Sequence, residues 1–265
     1  GGRKTLEIQL RENTVMLDNV IITALGLEKK EASLAYSIQK VKGEELTRMK
    51  EVNMITALAG KAAGVQINKN SSGIGGSAKV SLRGIRSASG DNQPLYVIDG
   101  VPMLNIGTEQ AYSAIGGTAN AGNRDGGDGI SNLNPEDVES ISILKGAPAA
   151  ALYGSQAANG VILITTKKGN TAGQRNIHFS TGLTFDKAFS LPKMQNCYGV
   201  SDVVDSWGEK TYLPTSNELN DFFRTGLTSI TSVSVNYGNE KIQTYFSYAN
   251  TTGRGIVDKN QLTKH

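Results

Sequence analysis

Cysteine and histidine are scarce in this chain, which limits the chemistry that it can perform. Its 265 residues include one cysteine, Cys197, and two histidines, His178 and His265. A single cysteine cannot form an internal disulfide, so a disulfide framework is excluded, while the redox compartment and the role of Cys197 stay open. With so few of these residues, no Ser-His-Asp or Cys-His group can be placed. We therefore expect a protein that is not an enzyme and that has no cofactor.

Long hydrophobic runs and blocks of like charge are also absent. No run of 18 apolar residues exists, so no segment is predicted to cross a membrane as a helix, and a β-barrel is the remaining way to span one. The net charge is only +3, and no block of lysine or arginine is longer than two residues. Charge of this size indicates neither nucleic-acid binding nor attraction to an anionic membrane surface.

Nucleotide and metal motifs are incomplete. The stretch "GIGGSA", residues 73–78, has the wrong spacing for a dinucleotide-binding loop, and "AGK", residues 59–61, lacks the flanking residues of a phosphate loop. The stretch "NRDGGDG", residues 123–129, has two carboxylates but not the alternating ligands and final glutamate of a calcium-binding loop. We therefore predict no metal site.

Glycine is the abundant residue, with 31 copies against 6 prolines and 6% aromatic residues. This balance favours tight turns and close backbone approaches over long helices. Up to about Gly169, short strand patterns alternate with short helical ones, which predicts a compact α/β unit. "GVQINKNSSGIGGSAKVSLRGI" is predicted to be strand, glycine turn and strand, and "QPLYVIDGVPM" one buried strand.

The helices of this unit are predicted to be short. Asn134 followed by Pro135 predicts a helical start before the strand "SISIL", and "APAAALYG" predicts one or two helical turns. Asn53 can cap another short helix, because apolar residues recur around it at helical spacing, namely Leu46, Met49, Ile55, Leu58 and Ala62.

After about Gly173 the pattern changes to a period of two. In "RNIHFSTGLTFD" and "TSVSVNYGNEKIQTYFSYAN", apolar and polar residues alternate, and the second stretch is predicted to be a hairpin. One face carries the apolar residues Ile177, Phe179, Leu183, Phe185, Val233, Val235, Tyr237, Ile242, Phe246 and Tyr248. The other face is polar and includes His178. Such strands are typical of an outer-membrane barrel, but a soluble half-buried sheet has the same pattern.

Two stretches are specific enough to indicate a family. "VSLRGIRSASGDNQPLYVIDGVP" and "VESISILKGAPAAALYGSQAANGVILITTKKG" closely resemble the signature stretches of the plug domain in TonB-dependent outer-membrane transporters. The second is similar to the SusC/RagA branch found in Bacteroidetes. The resemblance covers roughly residues 18–170 and implies an α+β plug domain inside a transmembrane antiparallel β-barrel of about 22 strands.

The resemblance also divides the chain into segments. Residues 1–17 resemble the tail of a carboxypeptidase-regulatory-like domain, 18–26 the TonB box and linker, 27–170 the plug domain, and 171–265 a partial β-barrel. Barrel strands need about 9 to 11 residues each, whereas about 95 residues follow Gly169. We therefore expect the chain to be part of a longer protein. The spacing around "NCYGVSDVVDSWGEK" is shorter than in the family, so residues are expected to be missing near Gly199 and near Leu213.

The same resemblance implies roles for particular residues. TonB is expected to bind by strand addition to Asp18, Asn19, Val20, Ile21, Ile22, Thr23 and Ala24. Alternatively, "NVIITA" is a permanent strand of the plug sheet. Contacts between plug and barrel wall are expected from Arg83, Arg86, Asp99 and Lys145, with ordinary surface salt bridges as the alternative. Substrate contacts are expected in the loop 105–132, which is otherwise a solvated loop, from Tyr112, Asn120, Asn123, Arg124, Asp125 and Asp128.

The implied function is SusC-like, TonB-dependent import of oligosaccharides or peptides across the bacterial outer membrane. The implied partners are a SusD-like surface lipoprotein, the TonB-ExbB-ExbD complex and the substrate, with no nucleic acid. A dimer of transporter-lipoprotein pairs is a further expectation. Two alternatives stay open: an outer-membrane receptor that transduces a signal, and a soluble glycan-binding module.

Overall fold

The structure is a computed structural model that describes residues 20–22, 28–30, 38–69, 73–87, 92–103, 105, 127–169, 175–191, 197–199, 208–210, 221–239 and 241–265. In these ranges the strands are, in chain order, β1 Val20–Ile22, β2 Glu28–Lys30, β3 Ile38–Lys42, β4 Val65–Lys69, β5 Ala78–Leu82, β6 Leu95–Ile98, β7 Val101–Met103, β8 Val138–Leu144, β9 Val161–Thr166, β10 Asn176–Asp186, β11 Gly226–Gly238, β12 Gln243–Arg254 and β13 Gln261–Lys264.

The helices in the same ranges are short. They are α1 Gly43–Thr47, α2 Met54–Ala57 and α3 Ala147–Tyr153, with 3-10 turns at Gly129–Asn132, Pro135–Asp137 and Gly154–Ala157. Within the described part of the chain, no helix has the length and apolar character needed to cross a bilayer.

A five-stranded sheet forms the centre of the α/β unit, with the strand order β3-β8-β9-β6-β7. β6 and β9 are parallel, and the other neighbouring strands are antiparallel. Side chains of β9 alternate between two apolar clusters, with Ile162 and Ile164 in one and Val161 and Leu163 in the other. Because successive side chains of a strand point to opposite faces, an unbroken apolar run such as "VILITT" indicates a strand covered on both faces.

The helix predicted around Asn53 is confirmed, but the predicted apolar residues do not lie on one helix. The side chain of Asn53 accepts a hydrogen bond from the Ile55 backbone N–H and so begins α2. Leu46 lies in α1, and both Leu46 and Ile55 are fully buried. Met49 lies between the helices and is 70% exposed. The bend at residues 48–53 lets both helices reach the core, whereas one straight helix would not.

The segment predicted as one buried strand is a hairpin. β6 and β7 pair antiparallel across a two-residue turn at Asp99 and Gly100, which have φ of 47° and 87°. Positive φ at both positions is the geometry of a tight hairpin turn, for which Asp-Gly is a preferred pair. The Asp99 carboxylate accepts hydrogen bonds from the Thr166 N–H (2.9 Å) and hydroxyl (2.6 Å), which ties the turn to β9.

Other local predictions are confirmed. β4 and β5 pair antiparallel from Val65↔Leu82 to Lys69↔Ala78. The side chain of Asn134 caps the 3-10 turn that begins at Pro135, and α3 forms about two helical turns. Near the predicted gaps, an isolated bridge pairs Tyr198 with Lys210, while Leu213 lies outside the described residues.

A second, antiparallel sheet has the order β10-β11-β12-β13, and we call it the strand sheet. Its register places Phe179 beside Val233, and Val233 beside Tyr248, on one face, which we call the outer face. The period-two prediction is therefore confirmed, and His178 lies on the opposite, inner face. Outer-face side chains that stay exposed are Ile177, Phe179, Leu183, Phe185, Leu227, Val235, Tyr237, Phe246 and Tyr248.

Candidate functional site

The inner face of the strand sheet covers one side of the α/β unit, and small residues allow this close approach. A Cβ at Gly182 would lie 2.5 Å from the Lys50 stem, and one at Gly253 would lie 3.0 Å from Ile74. Thr228, Ser232 and Thr251 are buried on the same inner face. Because glycine has no side chain and serine and threonine have short ones, the backbone of the sheet can pack directly against the unit.

One polar contact joins the strand sheet to the start of β8. The Tyr245 hydroxyl donates a hydrogen bond of 3.0 Å to the Asp137 carboxylate. Asp137 ends the 3-10 turn Pro135–Asp137, where the Asn134 side chain accepts from the Glu136 N–H. Lys50 and Glu136 form an ion pair whose side chains are only 14% and 9% exposed. The turn is therefore bound by Lys50 of the α/β unit on one side and by Tyr245 of the strand sheet on the other.

A second polar contact lies at the neighbouring 3-10 turn. The Lys264 ammonium donates to the backbone carbonyl of Ser131, next to the end of the turn Gly129–Asn132. The turn is capped by Asp128, which is 5% exposed and accepts from the Ser131 N–H, the Ala78 N–H and the Asn53 amide. This network gives β13 a fixed carbonyl to bind.

Two cavities lie along the interface. One, of about 290 Å³, lies beside Leu46 and Glu136 of the unit and Ser247 of the strand sheet. The other, of about 780 Å³, lies between Ile74 on the unit and Asn260 beside the strand sheet. The interface thus combines direct packing at Gly182 and Gly253 with a few polar contacts and open space, and neither apolar cluster of the described residues extends across it, so it is weaker than a continuous apolar core.

The predicted TonB-binding residues lie partly in the described chain. Val20, Ile21 and Ile22 form β1, which pairs antiparallel with β2, while Asp18, Asn19, Thr23 and Ala24 lie outside the described residues. β1 and β2 form a sheet of their own, apart from the five-stranded sheet. The alternative that this segment is a strand of the central sheet is therefore wrong for this structure.

Three of the four residues predicted to contact the barrel wall have side-chain partners inside the α/β unit. Arg86 donates to the Ala158 carbonyl at 2.8 Å, and Asp99 binds Thr166 as described. Lys145 donates to the Gln39 side chain at 2.9 Å and to the Ala63 carbonyl. Burial lowers the pKa of Lys145, and the nearby Arg83 guanidinium lowers it further. Wall contacts of these residues stay a prediction.

Of the predicted substrate-binding residues, only Asp128 is described. It is buried, and three donors from the unit occupy its carboxylate, so its observed role is to cap a turn. A role in ligand binding stays a prediction that this geometry does not support. The remaining members of the set lie outside the described residues: Tyr112, Asn120, Asn123, Arg124 and Asp125.

The interface residues Lys50, Glu136, Asp137, Tyr245 and Lys264 were not predicted. One of them carries a signal in the sequence. Tyr245 is an aromatic residue at a polar position of the period-two pattern, since it alternates with Phe246 and pairs with Asn236 on the inner face. A large side chain directed at the unit indicates a specific contact, as the hydrogen bond to Asp137 shows.

Comparison with known proteins identifies the unit. Residues 30–161 match the family described as the TonB-dependent Receptor Plug Domain. The chain is 33% identical over 270 residues to the TonB-dependent receptor SusC of Bacteroides thetaiotaomicron, covering 98% of this chain and 25% of that protein. It is 35% identical over 216 residues to a TonB-dependent receptor of Formosa agariphila, covering 82% of this chain and 18% of that one. The chain thus spans about a quarter or less of these relatives.

A solved structure has the same fold. The RagAB peptide importer in its 'open-open' state superposes with a TM-score of 0.66 at 22% identity, covering 90% of this chain and 28% of that chain. Fold and matches together define an outer-membrane β-barrel protein of which this chain holds the plug domain and first barrel strands. The chain belongs to the TonB-dependent receptors, in their SusC/RagA branch. The predicted fold class, an α+β plug inside an antiparallel barrel, is confirmed.

We expect the Tyr245–Asp137 hydrogen bond to stabilise the plug in its position against the strand sheet. We expect Tyr245→Phe and Asp137→Ala each to lower the free energy of plug unfolding, with a coupling of about 1 kcal/mol between them, because each removes the same hydrogen bond to a carboxylate. Urea unfolding of the intact receptor in detergent measures this. Tyr237→Phe, on the outer face, is the matched control and should not couple to Asp137→Ala. Strictly additive effects of Tyr245→Phe and Asp137→Ala would show that this hydrogen bond does not contribute to the free energy of plug unfolding.

Proposed function

We propose that this chain is part of a SusC-like transporter that imports oligosaccharides or peptides across the outer membrane. TonB pulls on residues 18–24 and thereby displaces the plug. One observation carries the proposal: the plug is seated against the polar inner face of strands whose outer face is apolar, through a few separable polar contacts. A seal of this kind closes a pore and can still be released.

The orientation follows from the connections between strands. β11 and β12 are joined by the short turn 239–242, whereas residues 187–225 connect β10 to β11. In outer-membrane barrels short turns face the periplasm and long loops the exterior. The end with Asp186 and Arg254 therefore faces outward in this proposal, and the turn at Asn239 faces the compartment where TonB acts.

Residues 18–24 serve as the TonB-binding segment in this scheme. β1 makes main-chain hydrogen bonds to β2 alone in the described chain, in a two-stranded sheet separate from the five-stranded sheet of the plug. Such a strand can pair with a partner's edge without disturbing the plug core, since strand addition uses main-chain groups. The implied partner is TonB in its complex with ExbB and ExbD.

Further parts of the proposal concern residues and partners that the receptor would use elsewhere. Arg83, Arg86 and Asp99 are proposed to meet other strands of the barrel wall, and Lys145 has a third N–H donor for the same purpose. The loop residues Tyr112, Asn120, Asn123, Arg124 and Asp125 are proposed to contact substrate. A SusD-like lipoprotein would cover the outer opening, and two transporter-lipoprotein pairs would form a dimer. The domain limits 1–17, 18–26, 27–170 and 171–265 belong to this proposal as well.

The alternatives receive less support. A soluble glycan-binding module would not expose an apolar face that includes Phe179, Leu183 and Phe185, each more than 60% exposed. The named relatives are receptors and the solved neighbour is a peptide importer, none of them an enzyme by its description. No feature of the described chain favours signal transduction over import.

Uptake assays on the intact receptor test the proposal and its substrate class. Cells with the receptor and its neighbouring lipoprotein would be given a labelled peptide library and, separately, labelled oligosaccharides of mixed linkage. We expect one class to accumulate in the periplasm, and we expect this accumulation to stop when tonB is deleted or the proton-motive force is dissipated. Accumulation that persists without TonB, or none of either class, would contradict the proposed function.

A further inference from the structure

Lys145 joins three separate elements on one side of the plug. It follows β8 directly, and its ammonium donates to the Gln39 side chain of β3 and to the carbonyl of Ala63, between α2 and β4. Gln39 in turn lies within 3.5 Å of the Lys61 carbonyl through its amide. We call Lys145, Gln39 and Ala63 the Lys145 clasp. It connects the first strand of the central sheet to parts of the plug that are far apart in sequence.

β3 is the strand on which a pull from the TonB-binding segment acts first. It is the first strand of the central sheet, and it lies at the sheet edge with β8 as its neighbour. Five residue pairs join the two strands, from Ile38↔Leu144 to Lys42↔Ser140. Any tension on the chain ahead of Ile38 reaches the plug through these pairs and through the side chains that bind β3.

The pull and the wall contact act at opposite ends of this strand pair. Tension enters at Ile38, beside Leu144, whereas β8 is held at its other end, where Asp137 binds Tyr245 and the Lys167 N–H. The pulling force therefore acts parallel to the two strands. Antiparallel main-chain hydrogen bonds are perpendicular to the strands, so this force is shared by all five residue pairs and does not open them one after another. Gln39 and Lys145 lie at the end where the tension enters.

We propose that the Lys145 clasp sets the force at which β3 leaves the plug sheet, so that Lys145 is a positioning residue for force-driven opening. This proposal rests on the proposed function, since it requires tension on residues 18–24. When β3 is released, the next side-chain anchor along the chain is Leu46 of α1, which is fully buried in the core. Release therefore frees residues 38–45, roughly 30 Å of extended chain at about 3.5 Å per residue.

Force spectroscopy on the intact receptor in lipid nanodiscs tests the clasp. The receptor is pulled by an immobilised C-terminal domain of TonB, and the first extension is recorded. Lys145→Met keeps the length and apolar stem of the side chain but removes its donors. We expect the first extension of roughly 30 Å to occur at lower force in this variant. We also expect its extrapolated zero-force rate to rise about tenfold, as loss of a charge-assisted hydrogen bond implies. Later extensions should be unchanged.

Two controls separate the clasp from general stability. Lys79→Met changes an exposed lysine of β5 in the same plug and should leave the first extension as in the wild type. Gln39→Met removes the acceptor on β3, and adding Lys145→Met to it should produce little further change. Hydrogen exchange of the amides of residues 38–42 should speed up in Lys145→Met, while the thermal midpoint of the receptor stays within about a degree of the wild type.

The outcomes distinguish this proposal from the proposed function. If TonB does not attach to the wild-type receptor at all, the proposed function fails and the clasp fails with it. If TonB attaches but the first extension needs the same force in Lys145→Met as in Lys79→Met, the proposed role of the Lys145 clasp is wrong, and the proposed import function is unaffected. If Lys145→Met does not fold, Gln39→Met is used in its place. A first extension at the same force as in the wild type would then show that the proposed role of the Lys145 clasp is wrong.

Discussion

We expect Ile22→Pro, and equally Ile21→Pro, to abolish substrate uptake while substrate binding at the cell surface is retained. Proline has no N–H and fixes φ, so it removes a main-chain donor from β1 and disfavours the extended pairing that strand addition needs. Because β1 is not part of the central sheet, the substitution leaves the plug core in place. We expect uptake of the labelled substrate to fall to the level of a tonB deletion, because strand addition depends on these main-chain groups.

Ile22→Val is the matched control, because valine keeps the β-branched shape and the backbone donor and should leave uptake near that of the wild type. Surface binding is measured on the same cells after the proton-motive force is dissipated. If the proline variants lose binding and uptake to the same degree, residues 18–24 act on the structure of the receptor and not on its coupling to TonB.

Gly43→Ala is expected to disrupt the plug and to leave the outer membrane permeable. A Cβ at Gly43 would lie 2.0 Å from the Val138 carbonyl oxygen and 3.1 Å from that of Glu139. Both atoms belong to the backbone around β8, a central strand, so they cannot move without breaking the sheet. We expect a loss of about 3 kcal/mol or more, against a total stability of about 5 to 15 kcal/mol for a domain. Sensitivity of the cells to a large antibiotic that the outer membrane normally excludes measures the leak.

Gly60→Ala separates a backbone clash from a strained backbone angle. Gly60 has a φ of 75°, but a Cβ there would meet nothing within 4 Å. This variant should lose about 1 to 2 kcal/mol and keep the membrane closed. If an immunoblot shows that the Gly43→Ala receptor is missing from the outer membrane, the folding defect is the predicted one but more severe. Wild-type receptor levels together with wild-type antibiotic resistance would show that the plug tolerates the added methyl group.

Local patterns account for much of the fold. Asn53 and Asn134 were identifiable as caps because a side-chain acceptor before a helical turn satisfies an N–H that has no partner. The two faces of β10 were identifiable because its polar and apolar residues alternate, and the register confirms this. The hairpin at Asp99 could also have been predicted from Asp-Gly, but the apolar residues on both sides concealed the turn.

The long-range contacts, both within the plug and between the plug and the strand sheet, could not be predicted in the same way. Lys50 binds Glu136 across 86 positions, Tyr245 binds Asp137 across 108, and Lys264 binds Ser131 across 133. A lysine or an aspartate on its own has many possible partners, and local spacing does not select among them. The same limit applies to Arg83, Arg86, Asp99 and Lys145, which were assigned to the barrel wall, whereas Arg86, Asp99 and Lys145 have described partners inside the plug.

By itself, the sequence determined the family, the order of the two parts and the faces of the strands, because motifs and alternation depend on neighbouring residues. Only the tertiary structure decided which side chains hold the plug to the wall, that β1 is separate from the central sheet, and that Lys145 binds β3. These depend on how distant segments meet, since a hydrogen bond or ion pair exists only where folding brings donor and acceptor within about 3 Å of each other.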